Sequence, residues 1–108
     1  MIEPTPIRTQ PSSRRPRRRP NVWARSAAGE HTLMEPETGV VQILNDTAMA
    51  IWELCDGETR PDEMIDAICE LTGSHRDIVT EDVLRTLASF DRADLITWVD
   101  PTEDGLNG

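Results

Sequence analysis

The chain contains no lysine and no tyrosine, only one phenylalanine, and two cysteines in 108 residues. Two cysteines cannot build a disulfide framework, so the expected setting is a reducing one, the cytosol. Long apolar runs are also missing. No stretch approaches the roughly 18 residues that a membrane-spanning helix needs, and the first residues lack the apolar core of a secretory signal. A chain this short supports one small domain with a thin core. That argues against a roomy catalytic cavity and for a binding module.

The charge is lopsided. All 11 basic side chains are arginines, set against 20 carboxylates, for a net of −9. Arg8, Arg14, Arg15, Arg17, Arg18, Arg19 and Arg25 fall in residues 1–25 with Glu3 as the sole acid, a net of +6. Residues 26–108 carry the other four arginines and 19 acids, a net of −15. Five of the eight prolines lie in the first 20 residues, where only Met1, Ile2 and Ile7 are large and apolar. Such a segment buries too little surface to offset its ordering entropy. Residues 1–20 are therefore expected to be a disordered basic tail, 21–100 the domain, and 101–108 a flexible end.

Within the domain, Val22–Arg25 and His31–Met34 flank Gly29 and read as a loose hairpin. Pro36 to Gly39 supplies a second turn, and Val40–Leu44 is the clearest strand signal in the chain. Three helices follow. Asn45 or Asp46 can cap the first, whose stripe is Ala48, Ile51, Trp52 and Cys55, with Asp56-Gly57 as its stop. Thr59 is expected to cap the second, with Pro61 in its first turn, Met64, Ile65, Ile68 and Leu71 as its stripe, and Gly73 as its end. The third starts near Asp77 or Thr80 and runs to about Arg92, with Val79, Val83, Leu87 and Phe90 on one face and Leu84 beside them. Leu95–Val99 closes as a short extended segment. The expected fold is α+β and winged-helix-like: a three-stranded antiparallel sheet followed by three helices.

The run Leu44-Asn45-Asp46-Thr47-Ala48, continued by Ile51 and Leu54-Cys55-Asp56-Gly57, resembles the coenzyme PQQ synthesis protein D (PqqD) family, also called RiPP recognition elements. The likeness spans about residues 33–96, from Leu33 through Pro36 and Gly39 to the Asp82-Val83 pair and the closing Asp94-Leu95-Ile96. It departs from the PQQ members in its longer arginine arm. It also lacks a tyrosine in Leu33–Gly39, a stretch that runs one residue longer. The resemblance implies a carrier, and with no catalytic motif in the chain neither enzymatic activity nor a cofactor is expected. Such a carrier binds the leader of a ribosomally made precursor peptide as a fourth strand, beside the third strand and next to the third helix. It then presents the precursor to a modifying enzyme, a radical SAM protein in the PQQ pathway.

On that reading the peptide contacts are expected at Val41, Gln42 and Ile43 on the strand and at Val83, Thr86, Leu87 and Phe90 on the helix. Arg85 would pair with an acidic leader residue. Val41 and Ile43 share one face of the strand, and Val40, Gln42 and Leu44 the other; alternation alone does not say which faces the helices. About five added backbone hydrogen bonds at roughly 0.5–1.5 kcal/mol each and one or two seated side chains at about 1.5–3 kcal/mol each, set against an ordering cost of roughly 1–2 kcal/mol per residue, reach a micromolar complex at the favourable end of these ranges. The open edge also leaves room for a strand-paired homodimer.

Competing readings are weaker. A DNA-binding winged helix, or a general interaction regulator, would use residues 77–92, where Asp77, Glu81, Asp82 and Asp91 outnumber Arg85 and Arg92 and repel phosphate. His31, Cys55, Cys69 and His75 have the count for zinc but not the spacing. Glu35 with Glu37, and Glu81 with Asp82, are paired carboxylates only by position and read as solvated acids. There is no nucleophile elbow and no phosphate loop.

Overall fold

The elements follow from turn chemistry and apolar periodicity. The computed structural model describes residues 14–100. In chain order it contains β1 (Arg15–Arg18), β2 (Trp23–Ala27), β3 (Glu30–Glu35), β4 (Val40–Leu44), α1 (Asp46–Glu53), α2 (Pro61–Thr72), α3 (Arg76–Arg92) and β5 (Ile96–Val99). Strands β2, β3 and β4 form one antiparallel sheet in that order, and β1 pairs with β5 in a second. The expected α+β order, three strands and then three helices, is present.

The β2–β3 turn is two residues long, with Ala28 at φ 53° and Gly29 at φ 78°. Both signs suit the mirror-image turn that matches strand twist in tight hairpins. Glycine adopts this freely and alanine does not, at about 1–2 kcal/mol for an L-residue held there. Ala28→Asn should therefore raise stability by about 0.5–1 kcal/mol, read as a higher urea midpoint.

Asn45 caps α1, its Oδ1 accepting from the Ala48 N–H at 2.8 Å. Two expected helix boundaries differ. The N-cap of α2 is Arg60, whose backbone N–H donates to the Glu63 carboxylate at 2.9 Å. Thr59 instead belongs to a loop around Asp56, which accepts from the N–H groups of Glu58 and Thr59 and from the Thr59 hydroxyl. Helix α1 ends at Glu53 with Leu54 in a right-handed conformation, so Gly57 is not its stop. Gly57 has φ +82°, and a Cβ there would lie 2.9 Å from Arg17 Nε. The glycine is needed because another strand passes against it.

That strand is β1, and over residues 14–20 it corrects the expectation of a disordered tail. Residues 14–20 lie on the body; residues 1–13 and 101–108 are outside the described part of the chain. Arg15–Arg18 runs antiparallel to Ile96–Val99. On its other side the Arg18 N–H donates to Cys55 O at 2.9 Å and the Gly57 N–H to Pro16 O at 2.8 Å. Pro16 is fully buried. Arg18 Nη1 donates to the carbonyls of Trp52 and Glu53, taking up orphan acceptors at the α1 C-terminus. Arg19 pairs with Asp94 at 3.0 Å, and Arg14 lies over the Trp98 ring. Composition argued against order here because it counts apolar area. The segment is held by backbone hydrogen bonds and by arginines meeting an acidic body.

One core joins the sheet and the helices. Leu33 and Leu44 from the sheet meet Ile51 and Trp52 of α1, Met64, Ile65 and Ile68 of α2, and Val79, Val83, Leu87 and Phe90 of α3. The Trp52 and Phe90 rings meet edge to face, 5.3 Å between centroids. Cys55 sits in this core, its Sγ directed at Ile51 O; burial pushes its thiol up to about 12, against the opposing pull of Arg18. It is inert at neutral pH. Leu71 and Leu84, at expected stripe positions, are exposed.

Candidate functional site

Strand β4 is an edge. It pairs with β3 in the register Glu35↔Val40, Leu33↔Gln42 and His31↔Leu44, and among the described strands nothing pairs with its other side. Since Leu33 and Leu44 are core residues, Val40 and Gln42 turn toward the helices. Val41 and Ile43 turn outward, 55% and 68% exposed. The fold thereby settles the facing that alternation left open.

Helix α3 is the opposite wall. Its core stripe is Val79, Val83, Leu87 and Phe90, and next to it runs a half-buried stripe of Asp82, Thr86, Ser89 and Ala93. Gln42 meets the C-terminal part of this stripe across a cleft of about 290 Å³ lined by Ser89, Arg92 and Ala93. Asp82, Arg85 and Thr86 border a second cleft of about 260 Å³, closed by Asn45, Thr47 and Ala48 from the start of α1. The two lie along one side of α3 and continue the free edge of β4.

Of the sequence-derived candidates, the structure brings Gln42, Arg85 and Thr86 to these clefts and puts Val41 and Ile43 on the outer face beside the edge. Val83, Leu87 and Phe90 are at most 2% exposed. As core residues they hold α3 in place and offer no surface to a ligand. Arg85 donates to Asp82, which holds its pKa up and leaves its charge already matched. Ser89, Arg92 and Ala93 were not among the candidates. A helical stripe one residue behind the core stripe, at 82, 86, 89 and 93, is the signal that points to Ser89 and Ala93; Arg92 lies off it and had no such signal.

The loop leading into β4 is fixed by Glu35, which is buried rather than solvated, at 4% exposure. Its carboxylate accepts from the Glu37 and Thr38 N–H groups at 3.1 Å each and from the Asn21 amide at 2.6 Å. Burial would raise its pKa, but these donors together hold it below the usual carboxylate value. Asp56 is lowered in the same way, with burial outweighed by donation from Glu58 and Thr59. A carboxylate depressed on folding contributes stability that is complete above its unfolded pKa, about 4. That contribution is lost as pH falls through the folded value. Unfolding midpoints measured against pH should be flat from about 7 to 5 and fall below about 4. Glu35→Gln should lower the plateau and make the acid limb shallower.

Ser26 Oγ, the His31 ring and Asp46 form a hydrogen-bonded line, 2.6 Å to Nδ1 and 2.7 Å from Nε2. The Asp46 side chain is 93% exposed, so the line stitches the hairpin to α1 and does not form a water-shielded catalytic relay. Among the described residues no cluster of three His, Cys, Asp or Glu is placed to hold a metal. None of the described helices is long and apolar enough to cross a membrane.

The family model for coenzyme PQQ synthesis protein D (PqqD) matches residues 30–96. Two solved structures share the fold. One is TbiB1 in complex with the TbiA(beta) leader peptide, 26% identical, TM-score 0.65, covering 74% of this chain and 93% of that one. The other is lasso peptide synthetase B1 complexed with the leader peptide, 20% identical, TM-score 0.64, covering 76% and 96%. No curated protein matches the chain.

Proposed function

The chain belongs to the PqqD family, and from that premise we propose that it binds the leader of a ribosomally made precursor peptide by strand addition to β4. The observation that carries this reading is the free β4 edge lying along the α3 clefts. The other edge strand, β2, is exposed along its whole length. A strand there would gain backbone hydrogen bonds but no helix wall. At β4 an added strand gains both, with its inward side chains meeting Gln42, Thr86 and Ser89. At the favourable end of their ranges, about five backbone bonds and two seated side chains, less the ordering cost, reach roughly −8 kcal/mol, a micromolar complex suited to a carrier that must release its cargo.

In this role the chain is an adaptor in the cytosol, not a catalyst. It presents the precursor to a modifying enzyme, of the radical SAM class if the pathway is of the PQQ type. Two features weigh against a DNA-binding alternative. Helix α3 has four acids, and two of its three arginines are matched, Arg76 by Asp66 and Arg85 by Asp82. Arg15, Arg18 and Arg19 already donate to groups of the body, Glu58 O, Glu53 O and Asp94.

The test is a titration of the full chain with the synthetic leader of a precursor encoded beside it, followed by backbone NMR shifts. Low-micromolar saturation with the largest changes at 40–44 and 82–93 is the expected result. A leader that binds elsewhere, or not at all, removes strand addition at β4.

A further inference from the structure

The outer face of the sheet carries an apolar row that none of the described residues covers. Trp23, Met34 and Val41 are direct cross-strand neighbours on β2, β3 and β4, and Ile43 follows two residues along. All four are exposed, Trp23 by 58%. A strand added at β4 must alternate as β4 does. Its side chains beside Val41 and Ile43 therefore lie on this outer face and extend the row. The one between them, beside Gln42, turns into the cleft of Ser89, Arg92 and Ala93.

That cleft has a charge of its own. Arg92 ends α3 and has no ion-pair partner among the described residues. The nearest acids in sequence are engaged elsewhere, Asp91 by the Trp98 indole and Asp94 by Arg19. With Gln42 and Ser89 as hydrogen-bonding neighbours, the pocket presents donors and a positive charge on an otherwise acidic body.

From this placement we infer that the strand recognised at β4 has the order apolar–acidic–apolar, its carboxylate on Arg92 and its apolar pair beside Val41 and Ile43. The order is symmetrical about Gln42, so it holds whichever way the peptide runs. The inference rests on the proposed strand addition and names the chemistry of the peptide that site takes.

The probes are three fluorescein-labelled decapeptides with Thr/Ser flanks and central Val-Glu-Val, Val-Lys-Val or Ser-Glu-Ser, titrated into the full chain and its Arg92→Glu variant. Val-Glu-Val should bind best, with Val-Lys-Val about fivefold weaker through the lost charge pair. Ser-Glu-Ser should be about tenfold weaker through the lost cross-strand contacts. Arg92→Glu should invert the preference to Val-Lys-Val, which neither misfolding nor a merely structural role for Arg92 would do. Peptides that perturb residues 40–44 without this ranking, or a ranking unchanged in Arg92→Glu, overturn the inference and leave strand addition standing. The same holds if the leader perturbs 40–44 and none of the three does. If neither leader nor decapeptides perturb 40–44, both fall.

Discussion

A chain beginning at Asn21 should unfold about 12–24 °C below the full chain, because it lacks β1. The removed segment supplies the backbone pairing with β5, the bonds to Cys55 and Gly57, the Arg19 N–H to Leu95 O, and the Arg18 guanidinium on the last α1 carbonyls. At roughly 0.5–1.5 kcal/mol net per bond, and after the ordering entropy of the segment is subtracted, a loss of about 3 kcal/mol is expected. A small domain shifts about 4–8 °C for each kcal/mol. The fully buried Pro16, opposite Trp98 in the β1–β5 register, adds to the effect. Calorimetry of the two chains decides the matter. Equal melting temperatures would mean that the arginine arm is an appendage after all.

Phe90→Ala should cost about 3–5 kcal/mol, as for other large aromatic truncations in a core. Phe90 is fully buried and stands edge-on to Trp52, so the cavity would open where α1 and α3 meet. Against a total stability of about 5–15 kcal/mol this leaves a marginal domain. Its urea midpoint should fall steeply, while the milder Phe90→Leu should stay folded and keep its affinity for a leader peptide. A small stability loss in Phe90→Ala, with binding abolished, would make Phe90 a contact residue instead of a core one. The distinction matters because position on the helix does not separate the two roles. Phe90 and Ser89 are adjacent in sequence, yet one closes the core and the other lines the cleft.

Much of the architecture could be read from the residues in order. The β2–β3 hairpin, the β4 strand, the Asn45 cap, Pro61 at the start of α2, Gly73 at its end and the apolar stripes of all three helices are local. Each depends on a turn conformation, a cap or a period of 2 or 3.6, and on little else. The Leu-Cys-Asp-Gly motif was visible too, but its reason was not. Cys55 fills the core, Asp56 gathers the loop N–H groups, and Gly57 leaves room for Arg17, a residue 40 positions earlier.

The residues alone therefore specified β2, β3, β4, the three helices and the closing β5, their order, the family to which they belong and the location of an edge strand. Tertiary structure decided three further things. It folded the basic segment Arg15–Arg18 into β1, since hydrogen bonds and ion pairs to distant residues do not register in local hydrophobicity. It turned Val41 and Ile43 outward and Gln42 inward, since a strand's alternation fixes which residues share a face but not which face meets the helices. And it buried Val83, Leu87 and Phe90 while placing Ser89 and Arg92 at the cleft, since a helix offers several stripes and only the packing of its neighbours assigns one to the core.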